Sequence, residues 1–207
     1  MNESRTITLE EATLLIRGIP DAEMKTAMQT HLDGFAEFVE DETSKIILYE
    51  GDVALPYLAI KDDIVIVNGN LTVGGILEDA LEVNISLLFV LGNMTVQNLF
   101  TFSQICIAGN LTVHNAIVAD STHDYSLHVG GDIKATLIVE YAHTFYVHGN
   151  IVADFIYASH AASPRGPLIA NRRDEDFIDE VITKEALDLG KALQKIMAGD
   201  LIIKNTF

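Results

Sequence analysis

One cysteine, Cys106, is all the chain has, so no internal disulfide can form and the fold must stand on its core. That usage fits a reducing compartment and reads as cytoplasmic. Tryptophan is absent and proline occurs only four times. Basic residues are scarce as well: 13 Lys and Arg stand against 30 Asp and Glu, a formal charge of −17. Such a surface repels phosphates, which argues against nucleic acid as a partner and suits a basic one. Long apolar runs are missing too. The longest, around 86–91, falls far short of the roughly 20 residues that span a bilayer, so no membrane segment is expected. The N-terminus, MNESRTITLEEATLLIRGI, lacks a basic stretch followed by an apolar one, so no signal peptide is read there.

Catalytic signatures are also absent. There is no GxxxxGK[ST], no G-x-S-x-G, no HExxH and no CxxC. No cofactor, resident metal or catalytic residue is therefore assigned.

What the chain does have is hydrophobic material, 49% of its residues, written in a repeat. Gly69, Gly92, Gly109, Gly131 and Gly149 are 23, 17, 22 and 18 residues apart, and a weaker copy stands at Gly51. A period near twenty is a solenoid signature. Two positions before each glycine stand Val67, Val90, Ile107, Val129 and Val147. Two after it stand Leu71, Met94, Leu111, Ile133 and Ile151. The next apolar residues come two further out on each side, so each repeat holds two strands with one buried face. A third apolar piece follows, as at Leu99-Phe100 and Ile138-Val139. Three strands per coil predict a mainly β fold: a single-stranded, three-sided β-helix (β-solenoid) of about five to six coils.

The glycine marks a corner where the chain turns and coils approach closely. After it come Asn70, Asn93, Asn110, Asp132 and Asn150, which stacking would align into a hydrogen-bonded ladder, with Asn98 and Asn115 as a second. End coils need covers. Thr8 to Glu11 reads as a capping box before a helix, and Pro20-Asp21 opens a second helix to about Val39. At the other end a short helix is expected near 175–182, and Thr183 caps another to about Ala198. The organisation expected is an N-terminal helical cap over 1–44, the β-helix over 45–160, and a linker with C-terminal helices over 161–207. The helices serve as end caps or lie on a sheet face.

Chemistry-bearing residues gather at the corner after the third strand. His123, His143 and His160 fall there, with Asp120, Asp124 and Glu140 beside them, a set that could hold a zinc-type metal or run acid/base chemistry. Their unequal offsets favour solvated corner polars. Outward positions three before the glycines carry Ile66, Phe89, Cys106, His128 and Tyr146, an apolar, aromatic stripe suited to docking or to helical cover. Thr72, Thr95, Thr112, Lys134 and Val152 line the next face. Across 62–160 ten carboxylates meet one base, Lys134. The partner-binding residues expected are Glu78, Asp79, Glu82, Asp120, Asp124, Glu140, His123, His143 and Tyr146.

The motifs 92-GNMTVQNL-99, 109-GNLTVHNAIV-118 and 126-SLHVGGDIKATLIV-139, followed by His143, resemble a family of bacterial β-helical proteins. These bactofilin-like, "polymer-forming" proteins include presumed immunity proteins of polymorphic toxin systems. The resemblance covers residues 66–160. It implies a non-catalytic binding protein that neutralises a cognate protein toxin; the acidic charge makes that toxin a basic one, and a homodimer is a further possibility. The alternatives are a self-assembling scaffold and a metal-dependent enzyme using the histidine corner.

Overall fold

The computed structural model describes residues 4–40, 44–79, 86–121, 125–158, 163–164, 168–170, 178–182, 188, 191–192, 194–195, 198, 200, 202 and 204. The chain opens with β1 (Ser4–Ile7), α1 (Leu9–Arg17) and α2 (Ala22–Glu40). Six coils of solenoid follow. The first holds β2 (Ile46–Glu50), β3 (Val53–Leu55) and β4 (Leu58–Ile60). The next five are β5 (Ile64–Asn68) with β6 (Leu71–Asp79), β7 (Leu87–Val90) with β8 (Met94–Thr101), β9 (Gln104–Ile107) with β10 (Leu111–Asp120), β11 (Ser126–Val129) with β12 (Ile133–Tyr141), and β13 (Thr144–Val147) with β14 (Ile151–Ala158). Two short pieces, β15 (Ser163–Pro164) and β16 (Leu168–Ala170), begin another turn.

Among the described residues all pairing between coils is parallel. Ile66, Phe89, Cys106, His128 and Tyr146 stack in one column, as the glycine spacing predicts. One sheet runs β1-β2-β5-β7-β9-β11-β13-β15 and a second runs β16-β14-β12-β10-β8-β6-β3, with β4 on β6. The second and third expected strands lie in one hydrogen-bonded ribbon that slips register at the corner, between Val73 and Ile76 and between Val113 and Ala116. That corner is one residue longer in β6 and β10 than in β8. The weak copy at Gly51 is a real first coil, and Gly51 sits at φ 75°, where a side chain is strained.

The repeated glycine has a spatial reason. At Gly109 an added Cβ would lie 2.6 Å from Asn93 Oδ1 and 2.8 Å from the Gly92 carbonyl oxygen. Space, not positive φ, excludes side chains there, since Gly51 is the one positive-φ glycine among the described residues. The predicted ladder is continuous. Each Asn or Asp Oδ1 accepts the backbone N–H of the residue one coil on: Asp52 from Asn70 at 2.8 Å, Asn70 from Asn93 at 2.8 Å, Asn93 from Asn110 at 2.9 Å, Asn110 from Asp132 at 2.8 Å and Asp132 from Asn150 at 2.7 Å. Asn115 Nδ2 donates to Asn98 Oδ1 at 3.0 Å as the second ladder.

The interior is filled by the inward columns, such as Val65, Leu88, Ile105, Leu127 and Phe145, all buried. Each such side chain contributes about 1.5–3 kcal/mol by leaving water. Two of the three outer faces are covered. The helices cover the outer face of the first sheet, where Met24, Met28, Leu32 and Phe35 of α2 pack with Ile64, Ile66, Leu87, Phe89 and Cys106. They lie along a sheet, not across the end of the stack. Thr8 and Glu11 form the expected capping box, and Asp21 Oδ1 accepts the Met24 N–H at 2.7 Å to start α2. β1 pairs antiparallel with β2 and so protects that edge.

The outer face of the third strands, with Phe100, Ala116, Val118, Leu137 and Val139, packs with Val181, Ala192 and Ile202. A 3-10 turn spans Asp179–Val181. Asp188 caps a following helical stretch, accepting from Lys191 N–H at 3.1 Å. Thr183, the expected cap, lies outside the described residues. The remaining face presents Thr72, Thr95, Thr112, Lys134 and Val152 in register, from exposed to half-buried.

Candidate functional site

Two places collect polar chemistry: the corner joining third to first strands, and the far end of the helix-covered sheet. The corner takes the sequence insertions. Residues 61–63, 80–86, 102–103, 121–125 and 142–143 separate the strands there, so the longer connections follow coils two and four.

Strand alternation decides which corner acids face outward. Leu77 points in, Glu78 out and Asp79 in again; Ile138, Val139 and Glu140 repeat this. Asp79 is 1% exposed and Glu140 2%. Asp79 accepts hydrogen bonds from the Thr101 hydroxyl at 2.7 Å and from the Phe102 and Ser103 N–H groups, which ties down the two-residue turn of the next coil. Burial pushes its carboxyl up to about 6 against the pull of those donors. Glu140 Oε1 accepts the His143 N–H at 2.9 Å and holds the turn at 142–143, where Ala142 takes φ 54°. Both acids were expected on an exposed partner-binding rim. They are buried turn braces, because an inward-facing polar end to the strand supplies what two-residue turns lack.

His143 is also buried, at 0% exposure, with its ring edge-on to Phe145 at 6.2 Å. Among the described residues neither ring nitrogen makes a well-formed hydrogen bond. Burial lowers it to about 4, and the backbone of Asp120 and Ser126 only partly offsets this. The expected surface role of His143 therefore has no surface to act from. Glu78 and Asp120 do face outward, half-buried. The Tyr57 hydroxyl donates to Glu78 Oε1, and this contact raises the Tyr57 phenol. Partial burial raises Asp120. Glu82, His123, Asp124 and His160 lie outside the described residues. Among the described residues no three His, Cys, Asp or Glu side chains are grouped to hold a metal ion.

The second place begins where the outward column of the first sheet changes character. Ile66, Phe89 and Cys106 are buried under the helices. Burial pushes the Cys106 thiol up to about 12, which removes it as a nucleophile. The next two coils present His128, half-buried, and Tyr146, 46% exposed. Gln104 Oε1 accepts from Ser126 N–H at 3.1 Å and from its hydroxyl at 3.0 Å. The Ser126 Oγ lies 3.0 Å from His128 Nε2, which meets His31 Nε2 of α2 at 3.3 Å. His128 stacks on Tyr146 at 4.6 Å and 28°. Burial lowers His128 to about 4, with His31 and His148 adding to the effect, and burial also lowers His31.

One coil on, His148 stands between two acids of the α2 start. Its Nδ1 is 3.4 Å from Asp21 and its Nε2 3.6 Å from Glu23. Glu23, Met24, Ala27, His128, Tyr146, Val147 and His148 line a notch of about 190 Å³. Of these, His128 and Tyr146 were placed from sequence on a stripe suited to docking, and Tyr146 alone was named as partner-binding. His148 was readable: it follows inward-facing Val147, so alternation turns it out. Asp21, Glu23 and His31 were not, since a helix face gives no hint of which coil it meets.

Fold and site define a mainly β, β-solenoid protein of about six coils with N-terminal helices along one face. No helix among the described residues is long and apolar enough to cross a membrane. Comparisons with family models, with curated proteins and with solved structures give no match to this chain. What stands of the expected resemblance is a β-solenoid fold, and no family is identified.

Proposed function

We propose that this chain is a non-catalytic protein-binding protein whose acidic outer surface captures a basic protein partner. In the setting its motifs resemble, that is an immunity protein and its cognate toxin. The observation that carries the reading is charge on a filled solenoid. Apolar columns fill the core, and on the coils Glu50, Asp52, Asp62, Asp63, Glu78, Asp120, Asp132 and Asp154 stand at exposed or half-buried positions against Lys45, Lys61 and Lys134. Such a field speeds encounter with a basic protein and selects against acidic ones.

Affinity capture from the native cell across a salt series tests this. One basic protein, released as salt rises and not retained by a variant with Asp62→Asn, Glu78→Gln, Asp120→Asn and Asp154→Asn, supports it. Recovery of the chain alone at low salt overturns it.

A second reading, a self-assembling scaffold, draws on one observation. Among the described residues no strand pairs with β3 or β4 on the side away from β6. Tyr57 beside them is 50% exposed. An open edge can accept a strand from another copy. Sedimentation velocity decides: mass growing with concentration favours the scaffold, and a constant small species removes it.

A further inference from the structure

We propose that the notch between the start of α2 and the fifth and sixth coils seats a single arginine side chain of the partner. The inference rests on the reading of the chain as a binding protein for a basic partner and locates one contact. Size comes first. At about 190 Å³ the notch is smaller than the roughly 300–1,000 Å³ of small-molecule sites, and suits one long side chain.

The lining selects for chemistry. Met24 and Ala27 are apolar walls for an aliphatic stem. His128 and Tyr146 are stacked rings at its side, and Tyr146 is exposed. A planar guanidinium can extend such a stack, where an ammonium cannot. Glu23 stands at the mouth with its side chain 62% exposed, and Asp21 is beside it at 43%. His148 contacts both carboxylates and holds them in place. Counted as a full cation, it still leaves two acids against one base, so the mouth stays negative.

The solenoid side of this region is not the apolar surface its column began as. Helical cover over Ile66, Phe89 and Cys106 gives way to polar rings at His128 and Tyr146, where the sheet opens to solvent.

Nα-acetyl-arginine amide and Nα-acetyl-lysine amide are the probes, followed by the NMR signals of Met24, His128, Tyr146 and His148 in the full chain. The arginine probe should shift these signals saturably and bind more tightly than the lysine probe. Glu23→Gln and Tyr146→Ala should each weaken it by about threefold or more. Thr72→Ala, on the uncovered face, should leave it unchanged. Both key side chains are largely exposed, and an unchanged melting temperature confirms that the variants fold. Non-saturable shifts, or equal binding by wild type and both variants, overturn the site. Partner capture undiminished by Glu23→Gln and Tyr146→Ala also overturns it while leaving the wider reading intact. Saturable arginine binding without any captured protein supports the site and counts against the wider reading.

Discussion

His143 costs the protein stability where it stands. Its ring is fully buried, and neither nitrogen makes a well-formed hydrogen bond, the backbone of Asp120 and Ser126 compensating only in part. An unmet buried polar group costs about 1–3 kcal/mol, so His143→Leu should be neutral or stabilising by about 1 kcal/mol at pH 7, read from urea midpoints. The same substitution should flatten the acid limb. His143 and His128 both have folded values lowered to about 4 from 6.5. The unfolded chain therefore binds protons first. Stability is fully present above pH 6.5 and is lost as pH falls from 6.5 to 4, by up to about 3 kcal/mol per histidine. Asp79 works the other way. Its folded value is raised to about 6, so its contribution is present at low pH and is lost as pH rises through 6. Two histidines against one acid leave a net loss toward pH 4. His143→Leu should remove roughly half of the histidine part, and a pH series of urea melts checks this. Gly109→Ala should cost about 1–3 kcal/mol, because the Cβ would sit 2.6 Å from Asn93 Oδ1 and backbone must move.

At the scale of elements, alternation made most of the solenoid legible. The columns through Val67, Val90 and Ile107 gave the strands, and the glycine with its Asn gave the corner. The same alternation, carried to the strand ends, places Asp79 and Glu140 inside. Composition pulled the other way, since acids usually sit in water, and these two are buried only because two-residue turns need acceptors. The capping boundary at Thr8 was readable from local chemistry, but where α1 and α2 would dock was not. Amphipathic stripes specify that a helix is covered, not by what. The cover matters energetically: Phe89 is fully buried beneath it. Phe89→Ala should cost about 3–5 kcal/mol in chemical denaturation, more than a surface position such as Thr72→Ala, expected within about 0.5 kcal/mol. Thr8→Ala, which breaks the capping box, should cost about 1 kcal/mol by the same measurement.

Among the described residues the solenoid is a prism with two outer faces sheathed and one left open. Each coil buries its inner face only against its neighbours, so stability is passed along the stack by adjacent contacts. The filled core fixes shape, and the excess of 30 acids over 13 bases then acts at the surface. The charge was plain in the sequence. Which acids reach solvent was not, because that depends on turn geometry and on the faces the terminal segments cover. The measurement that tests the acidic-capture account most directly is the dissociation constant of the captured partner against ionic strength, for wild type and for the Asp62→Asn, Glu78→Gln, Asp120→Asn, Asp154→Asn variant. The account predicts affinity that falls steeply as salt screens the charges, and a weaker, flatter dependence in the variant. Affinity independent of salt and equal in both proteins would contradict it.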